Sequence, residues 1–232
     1  MKLSVIICVY NEGNTILELL NRVQGVHLGE GWQKEIIVVD NCSRDGTREL
    51  LQTVTAEDIR VIYQDKNRGK GHSIRTAIPL CTGKYTITQD ADLEYHPKQY
   101  PLLLKKAMEE DLDVVYGSRV LGGRRYHHYA LNYWVVRALT WLTNLLFGAN
   151  YTDVATNYKL VRTSLLKSLH LTCSGFDLDF ELSNKLSLST TKIGEVKIDF
   201  EPRTYQEGKK IGVLDGLRAF CVILRDRVAS IL

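Results

Sequence analysis

Residues 35–47 read EIIVVDNCSRDGT, a short run of apolar, largely β-branched residues that ends in an acid and opens into a polar, glycine-bearing loop. A strand with one wet face alternates apolar and polar residues, whereas a strand covered on both faces does not. Residues 35–39 are therefore predicted as an interior strand of a parallel sheet, with Asp40 at its carboxyl end. Working outward, similar runs at 3–8, 59–63, 85–88 and 113–116 predict four more strands, with helices between them. Ile16, Leu19, Leu20 and Val23 mark the first helix, and Pro97, a favoured first helical residue, opens the fourth ahead of Tyr100, Leu103, Leu104 and Met108. This alternation predicts an α/β fold: a mostly parallel central sheet with helices on both faces, Rossmann-like. After Tyr116 the pattern changes to a Gly/Arg/His segment, an apolar helix over 131–147, a helix near 177–188, a strand near 193–200 and a last helix over 213–231.

A chain of 232 residues, 44% hydrophobic and 25% charged, is long enough for one well-buried core. It has four prolines and no repeat or low-complexity tract to act as a linker, so a single domain over residues 1–232 is expected. The formal net charge of +3 is too small for a nucleic-acid binder, and no such partner is expected. Cys8, Cys42, Cys81, Cys173 and Cys221 are scattered, without C-x-x-C pairs, and read as reduced thiols in the cytoplasm. The apolar start, MKLSVIICVYNEG, stops at Asn11 with no cleavage signature, and no run reaches the roughly 18 apolar residues of a membrane span. A protein that is neither secreted nor membrane-spanning is the expectation.

Ligands of open parallel sheets bind beyond the carboxyl ends of the strands. The polar clusters fall there: VYNE (9–12), Asp40 with its loop, NRGKGHS (67–73), QDADLEYHP (89–97) and YGSR (116–119). In QDADLEYHP, Asp90 and Asp92 stand two apart, so an extended backbone points both carboxylates one way, and Glu94 continues the spacing as a candidate third ligand. Hard oxygen donors of this kind favour Mg²⁺ or Mn²⁺ shared with substrate phosphates. A lone D-x-D is more often an acidic solvated turn; its place after a buried strand reverses that reading. Asp40 can accept hydrogen bonds from a base or ribose, although taken alone it reads as a simple loop Asp. In NRGKGHS, Lys70 supplies charge and two glycines permit close approach, but the same pattern serves equally as a turn before a helix.

With VYNE, VVDNCSRDGT, NRGKGHS, QDADLEYHP, YGSR and RTYQEGKK in this order, the chain resembles the family 2 glycosyltransferases of GT-A fold, and the match covers nearly its whole length. Within that family it is most similar to the dolichol- and polyprenyl-phosphate sugar transferases, a likeness strengthened by TNYKL and GFDLDFEL. The resemblance implies a nucleotide-diphosphate sugar donor of UDP or GDP, a lipid-phosphate acceptor, inversion at the anomeric carbon and a divalent metal. It implies a donor and metal half over 1–118 and an acceptor half over 119–232. By residue, it implies that Val9, Tyr10, Glu12 and Asp40 line the nucleoside pocket and that Asp90 and Asp92 hold the metal. Arg119, Arg203 and Lys209 then lie near the donor and acceptor phosphates. Cys8 stands where the family usually has Pro, Asn41 where it often has a second Asp, and Glu94 where some relatives have Gln. Transfer to a saccharide hydroxyl, and a catalytically silent sugar-nucleotide-binding subunit, stand as alternatives.

No acid occurs between Asp113 and Asp153, while Arg119, Arg124, Arg125, His127, His128 and Arg137 fall there with Tyr126, Tyr129, Tyr133, Trp134 and Trp141. That composition suits a helix lying on an anionic membrane surface, and equally a core helix with one snorkelling Arg. The last helix, with Phe220, Ile223, Leu224, Val228 and Ile231 beside Arg218, Arg225 and Arg227, poses the same choice. Peripheral attachment to the membrane surface is the expectation adopted.

Overall fold

The computed structural model describes residues 1–121, 130–202 and 213–231. In chain order its elements are β1 (Lys2–Val9), α1 (Ile16–Gly25), β2 (Gln33–Asp40), α2 (Thr47–Gln52), β3 (Ile59–Tyr63), α3 (Lys70–Ala77), β4 (Tyr85–Asp90) and α4 (Tyr100–Glu109). Then come β5 (Val114–Ser118), α5 (Ala130–Phe147), β6 (Lys159–Arg162), α6 (Thr163–Ser168), α7 (Leu178–Ser189), β7 (Ile193–Lys197) and α8 (Val213–Ala229). Among the described residues the seven strands form one sheet in the order β3-β2-β1-β4-β6-β5-β7. All neighbours are parallel except β6, which runs against both β4 and β5.

The unbroken apolar runs are explained by two cores. Along β1, Leu3, Val5, Ile7 and Val9 enter a cluster with α1 and α4 on one face, while Ile6 enters a second cluster on the other. On β2, Ile36 and Val38 face the first and Ile37 and Val39 the second. Side chains alternate across a strand, so a sheet covered on both sides requires apolar residues at consecutive positions. The second face is covered by α3 and α5 to α8. Here α7 is buried almost all round until its last turn, which is why Glu181, Ser183 and Asn184 are fully buried along with Leu178, Leu182 and Leu186.

The five early strands lie where the sequence places them, to within two residues. Pro97 opens a 3₁₀ turn, Pro97–Gln99, that leads into α4 at Tyr100. The late strand is shorter than expected: β7 ends at Lys197, and Phe200 returns only as an isolated bridge to Tyr95. The unanticipated elements are β6, only four residues long and too short to show a period, and the six-residue helix α6 that follows it. Chain direction from β1 to β2 and β3 runs one way across the sheet, and β4 lies on the opposite side of β1. This makes the β1/β4 carboxyl edge a topological switch point, where a crevice is expected.

Candidate active site

A cleft of about 410 Å³ opens at that edge. Val9, Tyr10, Glu12, Lys70, Asp90, Asp92, Glu94 and Arg119 all line it, as the sequence analysis expects, and β1 and β4 register Cys8 opposite Asp90. Arg203 and Lys209 lie outside the described residues, as do Arg124, Arg125, His127 and His128.

The acidic turn is built differently from the expectation of an extended backbone. β4 ends at Asp90; the chain then turns, Leu93 adopts φ +63°, and the Glu94 amide donates to Asp92 Oδ1 at 3.1 Å. Strand alternation therefore does not align Asp90, Asp92 and Glu94; the turn brings them to one cleft. Gln89 stiffens it, a residue the sequence analysis passed over. Buried to 1% exposure, its amide donates to the carbonyls of Asp90 (3.0 Å) and Tyr95 (3.2 Å) and accepts from the hydroxyls of Tyr100 (2.6 Å) and Tyr158 (2.5 Å).

Asp40 does not line the cleft: it is fully buried, ion-paired with Arg48 at 2.7 Å, and accepts from the Ser43 amide. Its neighbour Asn41, though itself buried, is the one that lines the cleft, donating to Asn67 Oδ1 and accepting from the Arg68 amide. The strand therefore delivers Asn41, rather than Asp40, to the cleft wall. In NRGKGHS the close approach is made by protein. A Cβ on Gly69 (φ +88°) would stand 2.2 Å from the Ser174 carbonyl oxygen, and one on Gly71 2.6 Å from that of Cys173. The Gly71 amide donates to Ser174 at 2.8 Å. These glycines dock the loop before α7 onto the start of α3, and Lys70 projects between them to Asp90 at 2.8 Å.

Arg119 reaches the cleft but is 7% exposed and bound to Asp153 through two nitrogens, at 2.7 and 2.8 Å. Burial works against both charges; their mutual attraction outweighs it, raising the Arg119 pKa and lowering that of Asp153. Lys159 is likewise buried and reaches Asp179 at 2.7 Å, and Asp179, on the first turn of α7, lines the cleft. The sequence showed GFDLDFEL as a resemblance only; nothing local marks which of its acids faces the cleft. Burial pushes the Cys8 thiol up to about 12, so it is a neutral wall residue.

Glu12, Asp90, Asp92, Glu94 and Asp179 thus share a cleft in which, among the described residues, Lys70 and Arg119 are the cations, each already paired with an acid. A diphosphate entering it needs further positive charge. The donors are hard oxygens, which fits Mg²⁺ or Mn²⁺. Among the described residues no three His, Cys, Asp or Glu side chains gather closely enough to hold an ion alone. Glu94 is therefore not part of a ready-made three-acid cage, and a metal here needs substrate oxygens to complete its shell.

An acidic, oxygen-rich cleft at the switch point of this sheet fits a glycosyltransferase of GT-A fold. Residues 4–170 match the model of glycosyl transferase family 2, and the chain belongs to that family. It is similar to a dolichol-phosphate mannosyltransferase of Pyrococcus furiosus, with 27% identity over 91% of this chain and 60% of the relative. It is also similar to an undecaprenyl-phosphate mannosyltransferase of Micrococcus luteus, with 25% identity over 93% of this chain and 90% of the relative. An undecaprenyl-phosphate 4-deoxy-4-formamido-L-arabinose transferase of Pseudomonas fluorescens is 36% identical over 45% of this chain, which spans only 31% of that relative. Among solved structures, glucosyl-3-phosphoglycerate synthase of Mycobacterium tuberculosis, crystallised with Mn²⁺ and UDP, superposes with a TM-score of 0.71 at 20% identity, covering 98% of this chain and 80% of that one. That likeness shows the fold.

Proposed function

We propose that the enzyme transfers a hexose or amino sugar from a UDP- or GDP-sugar to a polyprenyl phosphate, dolichyl or undecaprenyl, with inversion, using Mg²⁺ or Mn²⁺ at the cytoplasmic surface of a membrane. The observation that carries this is the Asp90–Asp92 turn facing Lys70 in the switch-point cleft. The lipid-phosphate acceptors named for the relatives support the acceptor class.

In this reading residues 1–118 supply donor and metal contacts: Val9, Tyr10, Glu12 and Asn41 line the nucleoside side, Asp90 and Asp92 hold the ion, and Glu94 lines the same wall. Asp40 acts at one remove, fixing Arg48 and the Asn41 loop. Residues 119–232 supply the acceptor side, with Arg203 and Lys209 as phosphate ligands; Arg119, held by Asp153, presents its charge to the cleft. The divalent ion, when bound, neutralises charge developing on the diphosphate leaving group. An acceptor phosphate oxygen forms the new bond to the anomeric carbon as the bond to the donor's β-phosphate oxygen breaks, and the electron pair leaves with the nucleoside diphosphate. The acceptor is already anionic, so no base is required. A hydroxyl acceptor would need one, and Asp179, the cleft carboxylate contributed by residues 119–232, would serve.

Membrane attachment fits the two helices whose nature the sequence left open. Both pack one face on the second core and leave apolar residues exposed: Trp134, Trp141 and Leu145 on α5, and Leu214, Leu217, Phe220, Leu224 and Val228 on α8. Ile223 points inward and is fully buried. No helix among the described residues is long and apolar enough to cross a membrane.

The test incubates the enzyme with Mn²⁺, a panel of radiolabelled UDP- and GDP-sugars and polyprenyl phosphate, followed by lipid extraction. Label in the lipid fraction from one donor supports the reading. Label confined to an added saccharide would establish the hydroxyl alternative, and absence of donor hydrolysis with every nucleotide would indicate a silent binding subunit. Arg203→Lys is expected to slow transfer to lipid more than donor hydrolysis, because a lysine cannot reproduce a bidentate phosphate contact. Equal losses in both would remove Arg203 from the acceptor phosphate.

A further inference from the structure

The acidic turn at the end of β4 is partly neutralised before any ligand arrives, and Lys70 does it. Its Nζ lies 2.8 Å from Asp90 Oδ1, with the two side chains 14% and 22% exposed. Three features hold it there. Gly69 and Gly71 press the first turn of α3 against the Cys173–Ser174 backbone, the Phe176 ring lies 5.5 Å from the ammonium, and Asp179 shares the cleft. The Lys70 ammonium therefore rests on a carboxylate that a divalent ion also needs, and the two cations repel. A lysine stem is flexible and its ammonium can donate in several directions, so Lys70 can change partner within its reach.

We propose that Lys70 is the resident counter-ion of the cleft: it neutralises Asp90 in the donor-free enzyme, yields that carboxylate to the divalent ion when a nucleoside diphosphate enters, and then turns to the diphosphate. Metal and donor consequently bind as a unit, and metal alone binds weakly. The inference rests on the metal-dependent reading above, and its test separates the two. Mn²⁺ binding is followed by loss of the free-ion paramagnetic resonance signal, for wild type, Lys70→Met and Lys70→Arg, alone and with UDP or GDP. Wild type is expected to bind Mn²⁺ at least tenfold tighter with one of the diphosphates than without. Lys70→Met, similar in length but uncharged, is expected to bind Mn²⁺ without nucleotide at least tenfold tighter than wild type, with a smaller nucleotide effect; Lys70→Arg should keep the wild-type pattern. Should Lys70→Met fail to show a cooperative melt, Lys70→Gln replaces it. Nucleotide-dependent binding in wild type with unchanged or weaker donor-free binding in the uncharged variant would overturn the role of Lys70 alone. No nucleotide-dependent binding in wild type would overturn the metal-dependent reading and the inference with it.

Discussion

Asp92 and Gln89 illustrate two ways in which a single residue can matter to the cleft. Asp92 lines it directly, so Asp92→Ala is expected to reduce turnover about a hundredfold or more while leaving the melting temperature within a few degrees of wild type. Full activity of that variant, or of wild type in excess EDTA, would refute metal dependence. Gln89 does not line the cleft but receives two tyrosine hydroxyls and ties the turn carbonyls. Gln89→Leu removes the acceptor that those two hydroxyls share, leaving at least one of them buried without its partner, at about 1–3 kcal/mol. The expected result is a lower melting temperature and a higher Mn²⁺ requirement; restored wild-type behaviour in both would show that the turn holds its shape without the amide.

At the scale of elements, the contact between α7 and α8 carries an unusual concentration of charge. Glu181, fully buried, accepts from the Thr172 and Cys173 amides, the Thr172 hydroxyl, Lys185 and Arg225. Burial would raise its pKa, but these donors bring it from 4.5 to about 2. A carboxylate depressed on folding contributes stability above its unfolded value, and that contribution is lost as pH falls through the folded one. Wild type should therefore exceed Glu181→Gln in stability by on the order of 3 kcal/mol at pH 7, with the gap closing between about pH 4.5 and 2. A gap independent of pH in denaturant titrations would mean that packing, not charge, sets the difference. Because the same Thr172–Ser174 segment seats Gly69 and Gly71, this acid also anchors one wall of the cleft.

For the whole molecule, the open question is what covers the outer face of α8. Leu214, Leu217, Cys221, Leu224 and Val228, with Ile231 just beyond the helix, are all exposed and recur at spacings of three and four residues, the stripe of a helix seam. Arg218 and Arg227 flank it, Arg225 being turned to Glu181 and Asp226, so a second copy laid along the same seam would set arginine near arginine, while an anionic lipid surface offers the opposite charge. The protein is expected to sediment with anionic vesicles, less so in high salt but not abolished, since apolar insertion is unscreened. Vesicles should also protect Cys221 from alkylation. Leu217→Glu combined with Leu224→Glu should abolish sedimentation; retention of that variant on vesicles would assign the face to another role, and a doubled mass in solution would assign it to a second copy.

The sequence by itself determined the parallel α/β sheet, the two-sided burial of β1 and β2, and the carboxyl-end position of the D-x-D turn. Each is a local property, written in the period of apolar residues or in the polar residues directly after a strand. The tertiary structure alone decided which acids and cations meet. β6, four residues long and antiparallel, inserts between β4 and β5 and sets Lys159 beside Asp179. Asp40 withdraws beneath Arg48 and leaves Asn41 in the cleft, while Lys70 spans to Asp90 because Ser174, about a hundred positions on, fills the space its flanking glycines leave. Such pairings depend on the path of the chain between distant residues and on which charges are buried, and neither is written in the spacing of residues along a single strand or helix.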